Sequence, residues 1–144
     1  MIKLTHPELK IKASSTLNRS SKYAPKFIFD GNTDTCWNSD QGLPQYIVIN
    51  FEKIVIPTSL SFVFNGGFVG NNVSIELSID SINYITILDS ICFDDTNDKQ
   101  TIELSSTTNS ETIQGRFLKI NFLSSTDFYG RITIYSLDIY GTKV

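Results

Sequence analysis

Apolar and polar residues alternate along several short stretches of this chain, and this period of two constrains its fold more than any other feature. Between residues 73 and 79, valine, isoleucine and leucine alternate with serine and glutamate. Successive side chains of a β-strand point to opposite faces, so such alternation is typical of half-buried strands. Similar strand-length stretches occupy residues 46–51, 60–64, 115–122 and 132–140.

A helical pattern is much weaker in this sequence. The best candidate, Pro25–Phe29, provides at most one turn before a polar segment. Frequent β-branched and aromatic residues favour strands, whereas Asn, Ser and Gly favour the turns between them. About eight short strands therefore predict an all-β fold, an antiparallel β-sandwich or a barrel. We expect the polar stretches 94–99 and 105–112 to be loops, and to be the best places for disorder.

The size and composition of the chain fit one globular domain. Its 144 residues contain no internal repeat and no linker, so we predict a single domain over residues 1–144. A chain of this length buries roughly two-thirds of its unfolded surface, which is enough for an independent core. With 40% hydrophobic and 19% charged residues, the chain is not of the disordered class.

The net charge of −3 gives no general attraction for nucleic acid or for anionic lipid, although a local basic patch is compatible with it. No apolar run approaches the 18 residues or so that a membrane span needs. The first ten residues, MIKLTHPELK, lack the apolar region of a secretory signal. We therefore expect an intracellular protein, in the nucleus, the cytoplasm or both, with no membrane or nucleic-acid partner.

The residues that usually carry catalysis or bind zinc are scarce. Cys36 and Cys92 form no CxxC pair, and His6 is the one histidine, so a structural zinc site is not expected. Both cysteines adjoin aromatic residues, which favours packed, reduced thiols. His6 is expected to be an exposed terminal residue, and a Ser-His-Asp or Cys-His triad needs a histidine beside its nucleophile. The chain is therefore predicted not to be an enzyme.

Residues 29–42 and 125–131 are dense in mixed polar and aromatic side chains. After Trp37 comes the polar run Asn38, Ser39, Asp40 and Gln41. This run is either a recognition loop or a stiff loop whose side chains satisfy buried backbone groups. Arg131 is expected to form a forked ion pair with Asp40 or Asp127 and so to pin the two segments together.

Three aromatic residues lie in segments that are otherwise polar or rich in glycine. Phe128 and Tyr129 follow Asp127 in a polar turn, and Phe68 follows two glycines. Aromatic residues at loop tips often anchor a protein partner or stack on a sugar. The alternative is that these rings close the end of the sandwich.

Several of these motifs together carry a family resemblance. DGN-x-x-T-x-W at residues 30–37, the turn at 78–84 and the ending at 130–141 resemble the discoidin, or coagulation factor V/VIII C-type, domain. TCWNSDQG, the central GGF and TDFYGRITIY more narrowly resemble the small orphan-nuclear-receptor-associated protein family. The resemblance covers about residues 13–141. It implies a galactose-binding-like jelly roll and a nuclear or cytoplasmic protein-interaction role without catalysis. We therefore predict a single antiparallel β-sandwich of about eight strands with jelly-roll topology.

The resemblance also implies that the loop after Phe29 could bind calcium. In sugar-binding members this loop holds calcium through residues that correspond to Asp30, Asn32 and Thr35, with help from a glutamate at the position of Ser136. Losing that carboxylate should weaken the site. The alternative, which we favour, is a tight turn in which Asp30 accepts backbone N–H bonds. No other cofactor is predicted.

These observations lead to one main hypothesis for function. The chain is a monomeric, non-enzymatic adaptor that binds a protein, either a nuclear receptor or a subunit of a larger assembly. The predicted contact residues are Asn38, Asp40, Gln41, Phe68, Phe128 and Tyr129, oriented by Arg131. A carbohydrate-binding, lectin-like domain with a calcium-stabilised loop is the alternative. Membrane binding through Phe68 and Val69 is disfavoured by the acidic charge balance.

Overall fold

The computed structural model describes residues 1–104, 107–108 and 111–144, which form two packed antiparallel sheets. The strands are β1 (Ile2–Lys3), β2 (Lys10–Ala13), β3 (Trp37–Asn38), β4 (Gln45–Phe64), β5 (Asn72–Ser78), β6 (Ile85–Ile91), β7 (Gln100–Glu103), β8 (Thr107–Thr108), β9 (Glu111–Thr112), β10 (Gly115–Ser124) and β11 (Thr133–Lys143). Short 3-10 helices cover Leu17–Arg19, Ser21–Tyr23 and Pro25–Phe29. None of the described helices has the length and apolarity to cross a membrane.

β4 belongs to both sheets. Its residues 45–50 pair with β2 and β10, and its residues 55–64 pair with β11. Between the two parts, Glu52 adopts a φ of 64°, and its N–H donates to the Asn50 side-chain oxygen at 2.8 Å. The alternation predicts two separate strands here. The structure has one bent element, because the apolar residues from 54 to 56 continue the extended chain without a glycine turn.

The sheet order confirms the predicted antiparallel β-sandwich. One sheet runs β2-β4-β10-β5-β6, and the other consists of β7, β4 and β11, with β1 and β3 also paired to β11. Seven of these elements have four residues or more, and β4 serves twice, which makes eight strands. The predicted loop at 105–112 lies partly outside the described residues. β8 and β9 pair with each other within it.

At most positions, the alternation of apolar and polar residues correctly predicts which side chains are buried. The buried apolar side chains include Ile47, Ile49, Leu60, Phe62, Phe64, Val73, Ile75, Leu77, Leu118, Ile120, Phe122, Ile134, Leu137 and Ile139. Trp37 is fully buried, and its indole N–H donates to the Ser15 carbonyl at 2.9 Å. Its ring packs against Phe122 with the centroids 6.0 Å apart.

Two expectations about burial are wrong. Ile79 is 54% exposed because β5 ends at Ser78, so the alternation continues past the sheet. Cys92 is exposed because it follows the end of β6, whereas Cys36 is buried as expected. Val69, which the disfavoured membrane-binding alternative would expose, is fully buried in the core.

The strand register brings three connections to one end of the sandwich. Gln45, at the start of β4, pairs with Phe122 of β10, and Phe64, at the end of β4, pairs with Ile134 of β11. We call this region the loop end, and it consists of residues 38–44, 65–71 and 125–132. Backbone hydrogen bonds of 2.7 Å from Gly42 to Tyr129 and 2.9 Å from Thr126 to Val69 join the three segments.

Gly141 tests the packing of β4 against β11. It lies at a register shift in β11, and a Cβ there would overlap the carbonyl oxygen of Ile56 and lie 2.9 Å from Cα of Pro57. Both are backbone atoms, so Gly141→Ala should lower the free energy of unfolding by about 2 kcal/mol in urea titrations. Thr142→Ala, at the exposed neighbouring position, should change it by less than about 0.5 kcal/mol. Equal effects of the two changes would contradict this packing.

Candidate functional site

A forked ion pair lies at the centre of the loop end. Nε of Arg131 donates to Oδ2 of Asp127 at 2.9 Å, and Nη2 donates to Oδ1 at 3.2 Å. The backbone N–H of Arg131 also donates to Oδ2 at 3.0 Å. Of the two partners predicted for Arg131, the structure therefore has Asp127. The Asp40 carboxylate instead accepts the backbone N–H of Asn18 at 3.1 Å.

This arrangement fixes the charges of both groups. The hydrogen bonds from the Arg131 side chain hold the pKa of the Asp127 carboxyl below its ordinary value. The same bonds raise the pKa of the Arg131 guanidinium. Asp127 is largely shielded from solvent, whereas about a third of the Arg131 side chain is exposed. The site therefore offers a charged, oriented guanidinium to a ligand.

Two aromatic rings flank the guanidinium of Arg131. Its Cζ lies 5.1 Å from the ring centroid of Phe68 and 5.7 Å from that of Tyr129, which are cation–π distances. Phe128 packs its edge against Tyr129, with the centroids 5.3 Å apart. Phe128 is 93% exposed and Tyr129 58% exposed, so these two rings do not close the end of the sandwich. Phe68 is half-buried.

Two small cavities meet at Arg131. One, of about 270 Å³, is lined by Leu17, Asn18, Asp40, Gln41, Tyr129 and Arg131. The other, of about 140 Å³, is lined by Leu17, Asn38, Ser39, Asn65, Phe68, Arg131 and Thr133. Six of the seven predicted contact residues therefore line these cavities, and the seventh, Phe128, contacts them through Tyr129. Whether they bind a partner stays a prediction.

Leu17 and Asn18 line the cavities but were not predicted as site residues. They belong to a short 3-10 helix, and Asn18 has a φ of 54°. No local motif marks them, because contacts between distant segments bring them to the loop end, including the hydrogen bond from the Asn18 backbone to Asp40. Such residues can be found only from contacts between segments that are distant in the sequence, because their spacing along the chain carries no signal.

The buried side chain of Gln45 holds the loop that carries Asp40. Its Oε1 accepts hydrogen bonds from the hydroxyls of Ser14 at 2.5 Å and Ser15 at 2.7 Å. Its Nε2 donates to the backbone carbonyls of Asp40 at 3.2 Å and Gly42 at 2.8 Å. Gln45 is 5% exposed, and its amide joins three segments of the chain. The loop is therefore positioned from beneath by a fully satisfied polar group.

The polar run after Trp37 combines the two roles that the sequence left open. Ser39 is structural, since it is buried and exchanges hydrogen bonds of 2.9 Å with the backbone of Ile132. Asn38 accepts the hydroxyl of Thr133 while it lines the smaller cavity. Gln41 is exposed and lines the larger one. The run is thus a stiff loop that presents some of its side chains to solvent.

The Asp30 loop has the geometry of the predicted tight turn. Asp30 accepts the Asn32 N–H at 2.9 Å through Oδ1 and the Thr35 hydroxyl at 2.6 Å through Oδ2. Asn32 in turn accepts the Asp34 N–H at 2.8 Å. Among the described residues, no group of three or more His, Cys, Asp or Glu side chains is placed to hold a metal. Whether calcium binds this loop stays a prediction.

Comparison with known families identifies the domain. Residues 10–135 match the F5/8 type C domain, and the match includes β2 to β10 and all of the loop end. The chain belongs to the F5/8 type C domain family. This result confirms the resemblance that the motifs at 30–37 and 130–141 carry.

Curated relatives of this F5/8 type C domain share one name. The nuclear receptor 2C2-associated protein of Danio rerio is 40% identical over 133 residues, which is 92% of this chain and 90% of the relative. The Homo sapiens protein of the same name is 34% identical over 142 residues, 98% of this chain and 97% of the relative. Each of these matches therefore covers nine-tenths or more of both chains.

Solved structures show the same fold at much lower sequence identity. The Clostridium perfringens module CpGH89CBM32-5, in complex with GalNAc-β-1,3-galactose, superposes with a TM-score of 0.79 at 18% identity, over 97% of this chain and 100% of that one. The family 32 carbohydrate-binding module of Clostridium perfringens NanJ, in complex with galactose, gives 0.74 at 19% identity, over 95% and 96%. These similarities establish the galactose-binding-like β-sandwich.

Gln45 provides a test of how the loop end is positioned. Gln45→Ala leaves two hydroxyls and two carbonyls without their partner, so the free energy of unfolding should fall by about 3 kcal/mol in chemical denaturation. Gln41→Ala removes an exposed glutamine from the same loop and should cost less than about 0.5 kcal/mol. A Gln45 variant as stable as the Gln41 variant would show that this network does not hold the loop.

The pH dependence of stability tests the fork between Asp127 and Arg131. Because the folded-state pKa of Asp127 is depressed, its contribution is present above the unfolded pKa and is lost as pH falls through the folded value. Between pH 7 and pH 3, the free energy of unfolding should therefore fall more in the natural protein than in Asp127→Asn. Arg131→Gln should show the same reduced dependence on pH. If the free energy of unfolding changed equally with pH in all three proteins, the ion pair would make no contribution to stability.

Proposed function

We propose that this F5/8 type C domain is a non-enzymatic, intracellular adaptor whose loop end binds a nuclear receptor. The name of its curated relatives supports an association with nuclear receptor 2C2. The observation that carries the proposal is the exposed pair Phe128 and Tyr129 beside the oriented guanidinium of Arg131. Tyr and Arg are among the residues that dominate binding energy at protein interfaces.

The preorganisation of this patch favours binding. Arg131 is held by Asp127 and by two rings, so little side-chain freedom remains to be lost when a partner docks. Phe128 is almost wholly exposed and would be removed from water on binding. Asp40 and Gln41 line one cavity with Tyr129 and so give the patch a polar edge. The patch thus combines an apolar anchor, a fixed charge and a polar edge.

Carbohydrate binding is the second candidate, and the larger cavity favours it. Tyr129 forms one wall of that cavity, and Asn18, Asp40 and Gln41 add polar groups that could bind sugar hydroxyls. The Clostridium perfringens modules of the same fold were solved with sugars. A calcium-stabilised Asp30 loop would belong to this candidate, in which sugar affinity would fall when calcium is chelated.

Receptor binding by aromatic variants tests the first candidate. In biolayer interferometry with purified Danio rerio nuclear receptor 2C2, Phe128→Ala and Tyr129→Ala should each weaken the dissociation constant by about tenfold or more. Their circular dichroism and melting temperature should match those of the natural protein. Ile82→Ala removes another exposed apolar side chain and serves as the matched control, with unchanged affinity expected. Unchanged binding by both aromatic variants, or loss of their fold, would contradict the proposed surface.

The same experiment separates the two candidates. Receptor binding should be equal with added calcium, with chelator and with free galactose, because a protein interface at Phe128 needs neither ligand. Isothermal titration with GalNAc-β-1,3-galactose provides the second arm. Sugar binding that Tyr129→Ala abolishes, together with absent receptor binding, would favour the lectin-like candidate.

A further inference from the structure

A groove of about 470 Å³ crosses the outer face of the first sheet, away from the loop end. It shares no lining residue with the two cavities around Arg131. Its walls come from β2, β4 and β10 and from the turn between β5 and β6. The side chains used below are Lys10, Lys12, Tyr46, Tyr84, Phe117 and Lys119.

The sheet register explains why lysines collect on this face. Val48 of β4 pairs with Lys12 of β2 on one side and with Lys119 of β10 on the other. Residues 47 and 49 point into the core, so all three side chains of this row point outward. Adjacent strands are about 4.8 Å apart, which places the two lysines about 10 Å apart at their backbones. Their aliphatic stems help to bury Val48, which is 8% exposed.

Aromatic rings fix the ammonium group of Lys119 within the groove. Its Nζ lies 4.7 Å from the ring centroid of Tyr46 and 5.8 Å from that of Tyr84. Such cation–π contacts orient the charge and leave its outer side open to a ligand. Phe117, two residues earlier on the same face of β10, adds a half-buried apolar surface.

The charge of the groove is opposite to that of the chain as a whole. Three lysines and no acidic residue line it among the described residues, whereas the whole chain has a net charge of −3. Lys10 forms an exposed ion pair of 3.2 Å with Glu52, which water screens strongly. Glu76, beside Lys119 in the register, accepts a hydrogen bond from the Asn121 amide at 2.7 Å. Glu76 keeps its negative charge there, and burial together with Glu76 and Asp80 raises the pKa of Tyr84 in the groove wall. Among the described residues, Lys12 and Lys119 are the groove lysines that form no ion pair.

We propose that this groove binds an acidic, extended segment of a partner protein. Carboxylates of the segment would pair with Lys12 and Lys119, and an apolar side chain between them would contact Tyr46, Tyr84 and Phe117. A groove with three lysines suits the few carboxylates of a peptide. The acidic charge of the whole chain opposes long-range attraction of a nucleic acid or an anionic membrane, which carry far more charge.

Fluorescence anisotropy with a labelled peptide tests the proposal. The probe is an eight-residue peptide with glutamate at every second position and leucine or serine between, and its control has glutamine in place of glutamate. At low ionic strength the acidic probe should bind at least tenfold more tightly than the control. Lys12→Gln with Lys119→Gln should weaken the acidic probe at least tenfold, and 0.5 M NaCl should do the same to the natural protein.

A second pair of lysines provides the matched control. Lys53 and Lys143 are exposed neighbours outside the groove, so replacing both with glutamine changes the net charge equally. This variant should keep the affinity of the natural protein within twofold. Equal loss in both double variants, or no discrimination between the two peptides, would overturn the proposal. Displacement of the peptide by poly(U) RNA or phosphatidylserine vesicles at lower concentration than by unlabelled peptide would also overturn it.

Discussion

The position of every loop at the candidate site depends on one strand that is shared by both sheets. β4 enters the first sheet at Gln45, bends at Glu52 and leaves the second sheet at Phe64. Because both of its ends lie at the same end of the sandwich, the segments before and after it must meet there. The connection from β10 to β11 crosses the same end, so sheet pairing alone assembles the surface around Arg131.

Buried polar bonds then turn this meeting of loops into a defined surface. The Gln45 amide fixes the backbone of the first loop, and Asp127 fixes the guanidinium of Arg131. Because these bonds hold the loops, Phe128 can be exposed to solvent and need not pack in the core. The lysine groove has a different origin, because it follows from the outward half of the strand alternation. The protein thus offers two surfaces of different chemistry, one aromatic around a single arginine and one basic.

The sequence predicts those features that depend on local periodicity. Alternation within a strand identified the core, and the fork between Asp127 and Arg131 lies within four residues of the chain. Features that depend on pairing between distant segments were missed or mistaken. The continuity of β4, the burial of Val69 and the contribution of Leu17 to the cavities all follow from tertiary contacts. The sequence left open whether Phe128 is exposed or closes the end of the sandwich; the structure exposes it, and its binding role depends on a partner outside the chain.

The most direct test of the central claim is a map of the receptor contact on the folded protein. Amide NMR spectra of the ¹⁵N-labelled chain would be recorded during titration with unlabelled nuclear receptor 2C2. We expect shift changes or line broadening to concentrate at residues 38–42, 66–68 and 128–131, around the Arg131 side chain. Changes confined to another face of the sandwich, or an unchanged spectrum at saturating receptor, would contradict the assignment of the loop end as the partner-binding surface.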